Sequence, residues 1–226
     1  MDEITKSLKE LDKHTKKVLA QDPESIQFWS KYFSGKEEAI LFIKNCLKKL
    51  LTRRMMLRTE WYVGIADSMP KIRDSRPALQ VIFLVSLAEG LAGARSTKRQ
   101  ANNLGSQKSV LDFFKYIAKS DREELMTKFR RTLTATGRQT LRFSSIIRIL
   151  YQIRNDAVHG EEFWKFSLVD KKHHKDVKEP HWSLLTTGRL GTKKRKREVH
   201  IETRLTYENL RDIFVRTAIQ NIESKF

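Results

Sequence analysis

FSSIIRILYQIRNDAVHG, residues 143 to 160, is the stretch from which the rest of the chain is read. Phe143, Ile146, Ile147, Leu150 and Ile153 recur at helical spacing and form one apolar face, and Gly160 is suited to stop a helix there. The pattern predicts a helix from about Gln139 to Val158. Beside the apolar face, Gln152, Asn155, Asp156 and His159 stand at i, i+3, i+4 and i+7, a polar stripe that faces a groove or a partner. Arg154 and His159 lie roughly 140° apart around an ideal helix, so they do not pair within one chain. A two-fold dimer that apposes this helix with its copy brings both arginines and both histidines into one cleft.

Those residue types suit cleavage of RNA without a metal. The 2′-hydroxyl must lose a proton as it attacks phosphorus, the 5′-oxygen must gain one as it leaves, and the phosphorane between them carries extra negative charge. Histidine transfers protons near neutrality, and arginine offers a permanent charge with a planar fork that matches phosphate oxygens. Asn155 is placed to orient the imidazole or hold a phosphate. Asp156 would repel phosphate but could fix Arg154 or His159. Against this stands a bland reading, in which His159 interacts with the helix end and Arg154 and Asp156 make surface ion pairs.

Working outward, ALQVIFLVSLAEGLAG, residues 78 to 93, is apolar on nearly every side and predicts a helix at the centre of a bundle, from about Pro77 to Arg95. Pro70 and Pro77 bracket a connector, and Ser96 to Ser106 reads as a loop. Val110 to Arg131 resumes helical spacing through Leu111, Phe114, Ile117, Leu125 and Phe129. Phe163 to Val169, Trp182 to Thr187 and Glu198 to Leu205 have strand character, with a hairpin whose tip is GRLGTKKRKR, and an amphipathic helix runs from about Tyr207 to Ser224. Residues 1 to 70 carry no catalytic spacing. They hold an amphipathic helix with Ile4, Leu8, Leu11, Val18 and Leu19 on one stripe, an aromatic patch of Phe28, Trp29, Tyr32 and Phe33, and a second helix from Ala39 through Leu51 whose period continues to about Trp61.

The 226 residues carry 45 Lys plus Arg against 27 Asp plus Glu, a formal charge of +18, and such an excess calls for a polyanion. Nucleic acid is the leading partner; an anionic membrane surface is the other. No apolar run is long enough to span a bilayer, the N-terminus lacks a signal peptide, and the single cysteine, Cys46, rules out an internal disulfide framework, so a cytoplasmic protein is expected. His173, His174 and His181 sit in a lysine-rich stretch without carboxylates at useful spacing, so neither a metal nor another cofactor is expected. Lys193, Lys194, Arg195, Lys196 and Arg197 form a basic run assigned to RNA capture, although an import signal would look the same.

The segment from Phe143 to Gly160 resembles the signature helix of the HEPN superfamily, in which an apolar helix ends in Arg-Asn-x-x-x-His, often followed by Gly. Tyr151 and the Arg154-Asn155 pair strengthen the match, and residues 78 to 93 look like the first core helix of that bundle. The resemblance implies a mostly α-helical HEPN-like bundle at 75–226 with a small β-hairpin insert around 163–205 before the last helix, preceded by a helical extension at 1–74. It further implies a homodimeric endoribonuclease that forms 2′,3′-cyclic phosphate ends and serves as a toxin or anti-phage effector, with an antitoxin or defence protein as partner. Arg154, His159 and Asn155 are then the catalytic residues. Other members of the family are inactive modules that bind RNA or nucleotide and assemble larger complexes, and this is the alternative. The tyrosine that nucleotidyltransferase-partnered toxins place two residues after the histidine is absent; Glu161 stands there.

Overall fold

A computed structural model describes residues 2–72, 77–94, 106–132, 138–158, 166, 168, 169, 181–187 and 197–226. The chain is mostly helical, with an antiparallel hairpin before the last helix. Its N-terminal part comprises α1 (Asp2–Gln21), α2 (Pro23–Ser30), α3 (Lys36–Lys48) and α4 (Leu50–Ile72). Helix α2 starts where it does because the Asp22 side chain accepts a hydrogen bond from the Ser25 amide at 2.9 Å and Pro23 occupies the first turn, where its missing N–H costs nothing. The apolar period that runs from Ala39 towards Trp61 belongs to two helices. Lys49 is extended, and the Thr52 hydroxyl donates to the carbonyls of Cys46 and Lys49, tying the two helices together across the break. Pro70 does not end α4, which continues through it to Ile72; the connector beyond lies outside the described residues.

Helix α5 (Pro77–Gly93) is the centre of the molecule. Val81, Leu84, Val85, Leu87, Ala88 and Leu91 are all fully buried, and the helix packs against α4, α6 (Ser106–Phe113), α8 (Phe143–Val158) and α9 (Tyr207–Glu223). Its apolar residues cover nearly every side because helices pack on most of them. The hydrophobic core is continuous from Trp29 in α2 through Met55 and Met56 in α4 to Ile222 in α9. By contrast, α1 leaves Leu11 and Val18 more than half exposed and is held to α4 by the Asp12–Arg53 ion pair at 2.7 Å.

The single helix expected over Val110 to Arg131 is divided. Helix α6 gives way to a short 3-10 turn at Phe114–Tyr116, Ile117 and Ala118 are extended, α7 occupies Lys119–Lys128, and Phe129–Thr132 forms strand β1. Strand β2 (Arg138–Thr140) also takes the residues expected to open the helix at Gln139, so α8 begins at Phe143. The hairpin of β3 (His181–Thr187) and β4 (Arg197–Thr203) therefore does not stand alone: β1 pairs with β4, Phe129 opposite Thr203, and the sheet order is β2-β1-β4-β3, antiparallel throughout. In the segment read as a strand over Phe163 to Val169, Phe166 and Leu168 are buried, but the described pairing is a single parallel bridge from Val169 to Thr206. Helix α9 opens on Thr206, whose hydroxyl accepts from the Asn209 amide at 3.2 Å. Among the described residues, no helix is long and apolar enough to cross a membrane.

Candidate functional site

Helix α8 lays Ile146, Ile147, Leu150 and Ile153 into the core against α5, and this fixes where its polar residues go. Arg154 follows Ile153 and is therefore turned to the edge of the α5–α8 contact, with its side chain 24% exposed. There its Nη2 meets Oε2 of Glu89, on α5, at 3.1 Å. Its Nη1 donates to Oδ1 of the adjacent Asn155 at 3.0 Å, while the buried Nε finds no hydrogen-bond acceptor among the described residues. The guanidinium is thus anchored at one end of its fork with donor capacity to spare. An anchored, part-buried guanidinium can bind a phosphoryl oxygen strongly, because water competes less there and the cation need not be ordered first.

Glu89 was not singled out from the sequence, yet a signal was present. It is the lone charged residue in the seventeen of α5, and a charge on a helix so largely buried demands a partner. The polar stripe expected along α8 is split. Asp156 is buried and accepts a hydrogen bond from Nε2 of Gln152, whereas Asn155 stays at the edge and Val158 is exposed. Asp156 therefore has Gln152 as a partner, and it is Glu89 that holds Arg154. His159 lies outside the described residues, as do Lys193, Lys194, Arg195 and Lys196; Arg197 is the first residue of β4, opposite Thr187.

Two other ionisable clusters bear on how the site is read. In the N-terminal part, Glu60 of α4 receives the Ser25 hydroxyl and the Trp29 indole N–H on one carboxylate oxygen, and burial pushes its carboxyl above the ordinary range, the two donors only partly opposing it. Between α7 and α9, Arg216 grips Asp121 with Nε at 3.1 and 3.0 Å from the two carboxylate oxygens and Nη2 at 2.7 Å from one of them. Burial also pushes the Cys46 thiol far up, which makes it a poor nucleophile. No family model matches this chain, and no curated protein or solved structure is found to be similar to it.

Proposed function

We propose that the chain is a metal-independent endoribonuclease of the HEPN kind, working as a homodimer, with Arg154 stabilising the phosphorane, His159 moving the proton and Asn155 orienting the arginine. The observation that carries the reading is the setting of Arg154: on the penultimate described turn of α8, part-buried, held by Glu89 and with a buried Nε that finds no acceptor among the described residues. A surface ion pair made for stability alone would gain little from burying an unmatched donor. The net charge of +18 supplies attraction for an RNA backbone over the whole surface, and the basic run at 193–197 adds to it. Val158, exposed and apolar next to position 159, suits contact with a second copy of the same helix. A role as a toxin or defence effector in the cytoplasm, restrained by a protein partner, follows from the resemblance.

The test is cleavage of end-labelled RNA by the purified full chain, with and without EDTA, alongside His159→Ala. Cutting should persist in EDTA, leave 2′,3′-cyclic phosphate ends or their hydrolysis products, spare DNA and vanish in the variant. Unchanged cutting by a folded His159→Ala protein removes the enzyme reading, and a strictly monomeric active protein in sedimentation removes the shared cleft. RNA binding without any cleavage favours the inactive module.

A further inference from the structure

At the opposite end of α8 from Arg154, an open groove of about 470 Å³ is lined by Leu111, Phe114, Lys115, Ile117, Lys119, Arg122 and Phe143. Three of these residues are cations and none is an acid. Asp112 and Glu123 stand nearby, paired with Lys115 at 2.5 Å and Lys119 at 4.0 Å, and the side chains of those two lysines are 72% and 91% exposed. The floor is aromatic. Phe143 sits edge-to-face on the buried Phe114, ring centroids 6.0 Å apart, and the exposed Arg122 lays its guanidinium over the Phe143 ring at 5.0 Å.

We propose that this groove is a subsite for an unpaired nucleobase of single-stranded RNA, whose flanking phosphates are held by Lys115, Lys119 and Arg122. A planar guanidinium stacked on a ring is a platform for the face of a base, and such platforms select unstacked strands over duplexes. An apolar floor with a purely cationic lining suits a base joined to phosphates better than an acidic peptide, which would leave the stacking surface unused. Position also argues for it. Phe143 and Arg154 are eleven residues apart, three turns of helix, so they leave α8 within roughly 20° of each other and about 16 Å apart along its axis. At about 3.4 Å per stacked nucleotide, roughly five nucleotides join the two. The groove then sets which unpaired base lies a fixed distance from the cleaved bond; in this it rests on the ribonuclease reading above.

The test uses the full chain and a fluorescein-labelled oligouridylate made uncleavable by 2′-O-methyl groups, read by polarisation. Lys119→Glu with Arg122→Glu should weaken binding by about tenfold or more, whereas Lys31→Glu with Lys44→Glu, an equal charge change on exposed residues of the N-terminal part, should cost far less. Arg122→Lys keeps the charge but removes the stacking plane, and should still cost roughly fivefold, with an abasic oligomer of the same length insensitive to it. Equal losses for the two double variants, no effect of Arg122→Lys, or a duplex bound as well as the single strand would each overturn the subsite. Because the oligomer cannot be cut, a working groove in a protein that cleaves nothing keeps this inference and removes the enzyme, whereas cleavage with an idle groove does the reverse.

Discussion

Two of the arginine–carboxylate pairs that join helices in this molecule are built differently. Arg216 and Asp121 close three contacts between α9 and α7, with both oxygens of a carboxylate that is 7% exposed engaged by the same fork. Arg154 and Glu89 meet at 3.1 Å between α8 and α5, and among the described residues the arginine's buried Nε has no acceptor. The first pair engages both oxygens of a buried carboxylate and has the geometry of a clamp. The second holds its cation through one carboxylate oxygen and the neighbouring Asn155, and leaves guanidinium N–H groups for something else. How the carboxylate is gripped, rather than burial or charge, separates the two.

The largest expected break between them is in activity. Arg154→Ala should lower RNA cleavage by about a thousandfold, the scale for removing a donor aimed at developing negative charge, and Arg154→Lys should restore little because the fork is lost. Arg154→Lys, which keeps a cation beside Glu89, should melt close to the wild type, so that its loss of activity is separated from any loss of fold. The converse holds for the clamp. Arg216→Ala leaves Asp121 buried without its cation, at a cost of about 2 kcal/mol, and should lower Tm by about 4–8 °C in calorimetry without changing kcat. Asp121→Ala should cost less, because the part-exposed Arg216 can turn to water.

Glu89→Gln sharpens the comparison at the next scale. If Glu89 positions Arg154, the neutral amide should lower kcat by about tenfold with KM nearly unchanged, and Glu89→Asp should recover only part of it. Equal kcat for both variants and the wild type would make the pair a second clamp. The smallest effect belongs to Glu60. Its folded carboxyl binds a proton at higher pH than the unfolded one, so the folded state holds the extra proton between the ordinary carboxylate range and the raised value, and stability falls as pH rises through that window. Glu60→Gln keeps an acceptor for Ser25 and Trp29 but has no proton to lose. Its melting temperature should match the wild type at low pH and exceed it near neutrality, read by circular dichroism at several pH values.

Periodicity carried the helical part of this fold. Helix α5 was legible as a central helix because it is apolar on nearly every side, and α8 because one face repeats at 3.6 residues. The hairpin arms were legible from the alternation of Val199, Ile201 and Thr203 with polar residues. Strand β1 was not, since Leu125 and Phe129 are four residues apart and satisfy a helix equally well. What makes Phe129 a strand residue is Thr203 across the sheet and the stacked Phe166 ring at 6.2 Å, partners that no local window contains. The same blindness hid Glu89: Arg154 was legible from its motif, but the carboxylate that holds it lies on another helix. The dimer, His159 and the basic run stand where the chain left them in sequence, as expectations for experiment.

Strand β1 ends the chain's path into α8, and β4 lies beyond it, so pairing Phe129 with Thr203 closes a loop that has α8 inside it. The helix bearing Arg154 packs on α5 from within that loop, so the sheet pairing that brackets it forms only after a long closure. Its backbone amides and those of β1 should exchange with deuterium as one cooperative unit. Release of the guanidinium would instead require α8 to part from α5, where Glu89 holds it.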